Sequence, residues 1–233
     1  MSGKRALVTG VGPGTGTSIV RRFVEGGYEV AMIARNEERL RQLEADIGHT
    51  KAFPADVTDL ARFEQTLDRI FDEFGAPQVV IHNAVGGTFG NFMQIDPIVL
   101  ERNFQINVLA LLHLARRVTP SMIESGSGAI VASGNTSAFR GKSNFAGFAP
   151  TKAAQRILME SIARELGPKG IHVAYVVIDA VIDLEWTRAS RPDAPDDFFI
   201  QPPDIANEIW HVAHQPRSAW SFNVEVRPFK EAW

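Results

Sequence analysis

Glycines at positions 10, 12, 14 and 16, set between a short apolar run and an amphipathic stretch, constrain this chain more than any other feature. Ala6 to Val8 reads as a buried strand. Thr17 to Val24 carries Ile19, Val20, Phe23 and Val24 at helical spacing. Strand, glycine turn and helix, in that order, bring a helix N-terminus to bear on a pyrophosphate. Residues without a Cβ let the turn be tight and let the backbone approach the phosphates. The common G-x-G-x-x-G spacing is not met, because Thr15 stands where its third glycine belongs. The pattern that fits is Thr9-Gly10-x-x-x-Gly14-x-Gly16. Gly10, Gly12, Gly14, Thr15 and Gly16 are therefore the candidate phosphate contacts.

The rest of the chain alternates strand and helix patterns. Strands are expected at Tyr28 to Ile33, Lys51 to Pro54, Gln78 to His82, Gly128 to Ala132, Ile171 to Ile178 and Ser221 to Val226. Helices are expected at Glu37 to Ile47, Leu60 to Phe74, Pro97 to Glu124, Thr151 to Leu166 and Asp204 to His214. Ser133 to Ala149 reads as a polar, glycine-dotted loop, and residues 179–203 as an irregular, acidic substrate loop. Alternation of this kind predicts a parallel sheet with right-handed crossovers. The expected fold is α/β, a single Rossmann-like doubly wound parallel sheet flanked by helices, spanning 1–233 as one domain. Ligands of such sheets lie beyond the carboxyl ends of the strands. The segments after Val8, Ile33, Ile81, Val131 and Ile178 should then face one site.

Composition narrows the classes. With 24 basic and 27 acidic residues and a net charge of −3, no basic stripe stands out, so nucleic acid is not an expected partner. The absence of cysteine excludes disulfides, thiolate catalysis and cysteine-ligated metals. No metal site is expected. No signal peptide or apolar run of membrane-spanning length is visible, which points to a cytoplasmic protein without a membrane partner. At the end of the second strand the chain offers Ala34, Arg35 and Asn36 and no acid. A carboxylate there would accept bonds from the ribose hydroxyls of NAD, whereas arginine suits an added 2′-phosphate. Arg35 therefore predicts NADP(H) as the cofactor, with Asn36 beside it as a further cofactor contact.

The glycine pattern resembles that of the short-chain dehydrogenase/reductase family, and the resemblance extends over nearly the whole chain. On that resemblance, Asp56 and Val57 match the adenine contact, and Asn83 and Ala84 the centre of the family's Asn-Asn-Ala-Gly motif. His82 precedes that pair and reads as a structural histidine. Backbone groups near Val181 and Ile182 would meet the nicotinamide, although Asp179 and Ala180 stand where the family has Pro-Gly. The family's catalytic asparagine and lysine map onto Asn107 and Lys152. Its serine maps onto Asn135, whose amide can donate to a substrate oxygen. Its tyrosine maps onto Phe148, which has no proton to give. Tyr28 and Tyr175, the chain's two tyrosines, are expected inside strands away from this spot. Asp179, Asp183 and Glu185 are open to two readings, as binders of a cationic substrate or as a solvated acidic loop.

The resulting expectation is an NADP(H)-dependent oxidoreductase acting without a tyrosine acid on a small or medium imine, conjugated enone or carbonyl. The alternative is a catalytically inactive NADP-binding sensor or partner protein. The resemblance also implies a homodimer or homotetramer, paired through the helices at Pro97–Glu124 and Thr151–Leu166.

Overall fold

A computed structural model describes residues 3–231; positions 1, 2, 232 and 233 of the expected 1–233 domain lie outside the described residues. Seven strands form one sheet in the order β3-β2-β1-β4-β5-β6-β9. They are β1 (Lys4–Thr9), β2 (Tyr28–Ala34), β3 (Thr50–Pro54), β4 (Val79–His82), β5 (Gly128–Asn135), β6 (Ile171–Ile178) and β9 (Asn223–Val226). Every adjacent pair in this sheet is parallel. The order reverses between β1 and β4, which start in opposite directions across the sheet. That switch point opens the crevice where ligands of such folds bind.

Both faces of the sheet are covered, so its strands read as nearly unbroken apolar runs. Alternation along each strand decides which side a residue serves. Leu7, Val80, Ile130 and Tyr175 pack toward α3 (Leu60–Glu73), α5 (Ala110–Ser125) and α6 (Ala149–Leu166). Ala6, Val8, Ile81 and Val176 pack toward α1 (Thr15–Glu25), α2 (Glu37–Ile47) and α8 (Pro202–Ala213). Local signals fix the helix starts. Asn36 and Asp59 cap α2 and α3 by accepting the N–H groups of Arg39 and Arg62. Asp96 caps α4 (Pro97–Phe104), which opens on a proline. These are the side chains and the position that satisfy a helix's unpaired first N–H groups.

Two expectations are corrected. β5 continues through Ser133, Gly134 and Asn135, which were expected in the following loop. These residues stay paired with Val176, Val177 and Ile178 of β6, and that long-range register overrides their polar composition. The segment 179–203 is not irregular. It holds β7 (Val181–Ile182), α7 (Glu185–Ala189) and β8 (Phe199–Ile200), with β7 and β8 paired in parallel. Elements of two to five residues are too short to show a period. The helix expected at Pro97–Glu124 is present, but a π-helical turn at Gln105–Leu109 joins α4 to α5. Among the described residues no helix is long and apolar enough to cross a membrane.

Candidate active site

A cleft of about 1320 Å³ runs along the carboxyl ends of the strands at the switch point. One wall is the glycine turn. Gly10 has φ +73°, and a Cβ on it would collide with Ala84 of the loop after β4. A Cβ on Gly16 would strike the Gly10 carbonyl. Both positions exclude side chains, so β1, β4 and α1 close tightly behind the turn. At its front the first helical residues, Thr15 and Gly16, present N–H groups that the helix itself does not bond. The turn thus has the form of an anion cradle.

Of the residues singled out in the sequence, the cleft is lined by Gly10, Gly12, Gly14, Thr15, Gly16, Arg35, Asn36, Asp56, Val57, Asn83, Ala84 and Ile182. Arg39, which the sequence reading did not single out, joins Arg35 at the far end. Spacing in the sequence hides it; it comes into line because α2 starts where β2 stops. Partial burial works to raise the Asp56 carboxyl. The bonds from Thr58 and the charges of Arg35 and Arg102 outweigh it and hold the carboxyl below its usual range. Asn36 is partly occupied, since its Oδ1 caps α2. Asn83 ties the strand ends together: Nδ2 donates to the Gly10 carbonyl at 2.9 Å, and Oδ1 accepts from Ser133 Oγ at 2.9 Å.

Asn107, Asn135, Phe148, Lys152 and Val181 lie outside that lining. Asn107, Phe148 and Lys152 cluster around the start of α6. Asn107 is fully buried in the π turn. It accepts from the Gly86 N–H at 3.0 Å and donates to the Gly86 carbonyl at 2.7 Å and to Thr151 Oγ1 at 2.8 Å. Lys152 is 2% exposed, and its Nζ donates to the Ser133 carbonyl at 3.0 Å and to Gln155 Oε1 at 2.6 Å. Gln155 Nε2 in turn donates to the Asn107 carbonyl at 2.9 Å. Gln155 escaped the sequence reading. Its signal was a polar residue one turn past Lys152, on the same helix face. Burial pulls the Lys152 ammonium down to about 7.

Phe148 is buried, with its ring edge-on to Phe89 at 5.6 Å. Phe89 also meets Phe145 at 5.1 Å, so three rings stand where a hydroxyl was absent from the sequence. At the end of β5, Asn135 Oδ1 accepts from the Ser137 N–H. Tyr28 lies far off, bonded to His214. Tyr175 is nearer than expected, because alternation along β6 turns it under α6. Its hydroxyl lies 3.5 Å from both the Lys152 carbonyl and Gln155 Oε1 and can give its one proton to either. Burial raises that phenol and keeps it protonated.

The acidic residues after β6 are spent on internal bonds. Asp179 accepts from Thr136 Oγ1 at 2.9 Å and faces Arg140 Nη2 at 3.5 Å. Asp183 accepts both prongs of Arg188, at 2.6 and 2.8 Å, and the Gln201 amide at 2.9 Å. The Arg188 bonds outweigh burial and, aided by Gln201, hold its carboxyl at about 2. Neither supports the cation-binding reading; Glu185 alone of the three remains exposed on the cleft wall. The Ile182 carbonyl lies 2.6 Å and the Leu184 carbonyl 2.8 Å from Thr187 Oγ1, whose one proton can go to either. Leu184 bears directly on Gly14, bringing α7 down over the glycine turn.

A family model described as short chain dehydrogenase matches residues 4–193. An oxidoreductase of Staphylococcus aureus, described as uncharacterized, is 25% identical over 230 residues, 98% of each chain. A short-chain dehydrogenase structure from Rhodopseudomonas palustris is 29% identical with a TM-score of 0.83, over 97% of this chain and 99% of that one. A metagenomic short-chain oxidoreductase solved with NADP is 25% identical with a TM-score of 0.84, covering 97% and 96%.

His82 is fully buried and bonded on both ring nitrogens, to Thr9 Oγ1 at 3.0 Å and to the Ile106 carbonyl at 3.1 Å. The carbonyl can only accept, so Nε2 carries the proton and Nδ1 takes the threonine hydroxyl. Burial, then the Lys152 charge, pull this imidazole from 6.5 to about 3, against the Ile106 bond. Between those values the unfolded chain binds a proton that the folded chain refuses. The His82 contribution should therefore be level above pH 6.5 and fall on acidification toward pH 3, by up to about 1.4 kcal/mol per pH unit, while the lowered Lys152 acts in the same sense between pH 10.5 and about 7. Urea unfolding at a series of pH values reads the slope. His82→Gln should reduce it between about pH 6.5 and 4.5, leaving the share of His172 and His214, which burial also lowers; below that range the lowered carboxyls of Asp56 and Asp183 add a slope of the same sign.

Proposed function

The chain belongs to the short-chain dehydrogenase family, and we propose that it is an NADP(H)-dependent oxidoreductase acting without a tyrosine acid. The observation that carries this reading is the cleft itself. It joins an anion cradle at the glycine turn to Arg35 and Arg39 beyond β2, with no carboxylate at that strand end. The oxidoreductase names of its relatives and the NADP in one solved neighbour support the same assignment. NADP(H) supplies hydride exchange at its nicotinamide when bound. In this reading Thr15 and Gly16 hold the pyrophosphate, Arg35 and Arg39 the 2′-phosphate, and Asp56 and Val57 border the adenine. Ile182 borders the nicotinamide through its side chain. Lys152 makes the reaction site positive.

The acceptor is a small or medium imine, conjugated enone or carbonyl. Reducing a ketone creates an alkoxide that must be protonated as it forms, and a positioned acid contributes ~10²–10⁴-fold to such a step. That is roughly 3–5 kcal/mol of barrier. Phe148 cannot supply it. Asn135 can stabilise the oxyanion through Nδ2 while water delivers the proton. An iminium becomes a neutral amine without a proton, and an enolate formed from an enone is protonated later. Both escape the deficit. The preference for imines rests on this argument alone, since Asp179 and Asp183 are already paired.

Phe148 also favours a second reading, an NADP-binding sensor or partner protein without turnover. NADPH oxidation across a panel of imines, enones and carbonyls separates the two; binding with no turnover on any acceptor selects the second. Assembly as a homodimer or homotetramer in the cytoplasm completes the first reading. It is supported by Ile98 on α4 and Ile157 on α6, which are 73% and 56% exposed.

NADPH should bind more tightly than NADH in a fluorescence titration. Arg35→Ala should cost NADPH about tenfold or more and leave NADH nearly unchanged, as expected for one charge-assisted bond. Phe148→Tyr should raise ketone reduction more than imine reduction. Plain ketones turned over at ordinary rates by the unmutated enzyme, with no gain from Phe148→Tyr, would show that another group gives the proton. Light scattering at micromolar concentration should return a mass at least twice that of one chain, and a monomer mass would count against the assembly.

A further inference from the structure

We propose that Gln155 is a positioning residue of the reaction site: it ties the Lys152 ammonium to the Asn107 backbone and sets how readily that ammonium releases its proton. The inference rests on the reading of Lys152 as part of that site. Gln155 is wholly buried on the inner face of α6. A buried amide is costly unless both of its ends are bonded. Here both are, and the partners dictate which end is which. An ammonium can only donate, so it must meet Oε1, at 2.6 Å. A carbonyl can only accept, so the Asn107 oxygen must meet Nε2, at 2.9 Å. The glutamine is therefore fixed in one orientation by chemistry and cannot flip.

What surrounds Lys152 makes that single oxygen matter. Its Nζ bonds the Ser133 carbonyl and Gln155 Oε1, both neutral, and among the described residues it forms no ion pair with a carboxylate. His82 faces it from β4 and is held neutral by its burial. Tyr175 faces it from β6 and stays protonated. Arg156, the next residue on α6, adds positive charge on the Tyr175 side. Two dipoles alone hold a buried charge, so each is worth far more than in water. Without the Gln155 oxygen the ammonium keeps only Ser133. In a site lacking a tyrosine, the Lys152 charge is the field that steadies negative charge appearing on the substrate. Gln155 then fixes the pH above which that field is lost.

The test replaces Gln155 in opposite electrostatic senses. Gln155→Glu adds a carboxylate beside the ammonium and should raise its titration by a pH unit or more; Gln155→Leu removes the acceptor and should lower it by about as much. Lysines labelled with ¹³C at Cε report the titration by NMR in the free protein, with the Lys152 signal assigned by its loss in Lys152→Met. This readout needs neither cofactor nor turnover, so it stands apart from the proposed activity. In the active enzyme, the alkaline limb of kcat for NADPH oxidation should move with the NMR titration in each variant. Opposite shifts in the two variants establish the coupling. Shifts in one direction in both, as a packing defect would give, or no shift in Gln155→Glu, would overturn it. Gln155→Glu keeps the side chain's size and its bond to Lys152 but gives up the donor to the Asn107 carbonyl, so urea unfolding of both variants checks that each is folded before its titration is read.

Discussion

The carboxamide of Asn107 joins three parts of the chain that the sequence keeps far apart. It exchanges two hydrogen bonds with the Gly86 backbone after β4 and a third with Thr151 at the start of α6. It sits in the π turn between α4 and α5, and the carbonyls there do further work. Ile106 accepts from His82, and Asn107 accepts from Gln155. Widened helical turns of this kind often mark functional sites. Each buried polar group left unbonded would cost about 1–3 kcal/mol, so the turn, the loop and the helix start are mutually fixed. Lys152 and Phe148 owe their places to this knot, because both ride on the first turn of α6.

The sequence made the scaffold legible because its signals are local and periodic. The glycine turn, the apolar strands and the capped helices each carry their own instruction. The NADP(H) assignment came from one residue, Arg35, read against strand position. What stayed hidden was set by contacts across the chain. No period reveals that β5 runs on through Asn135, since pairing with β6 decides it. Tyr175 looked remote, yet one step of strand alternation puts it under Lys152. Gln155 reads as an ordinary helix residue until α6 is laid against the π turn. Arg39 is separated from Arg35 by a cap and a helix start, and only the cleft brings them into one line.

The segment after β6 shows how charge in a sequence can mislead. Three acids there leave open either attraction for a cation or a solvated acidic loop. In the fold, Asp183 takes the fork of Arg188 and the amide of Gln201, binding α7 to the start of α8. A fork-on-carboxylate pair with a third bond is directional as well as charged. It stiffens the segment that sets Leu184 on Gly14 and leaves Trp186 exposed on the cleft wall. The net effect on the cleft is apolar and steric.

Loss of the tyrosine and burial of the lysine bear on one another. A phenol at position 148 would place a polar, ionisable group beside Lys152. Phe148 instead packs with Phe89, and the side chain of Gly87 is dispensed with to admit its ring. Burial raises the cost of charge on Lys152, and the two acceptors offset the cost without cancelling it. The outcome is an ammonium near 7, close to neutrality, where a small change in its surroundings converts charge to neutrality. A lysine in ordinary solvent would stay charged across the whole neutral range. An ammonium poised in this way depends on the two acceptors that hold it, Ser133 and Gln155, more than an exposed lysine depends on any single partner.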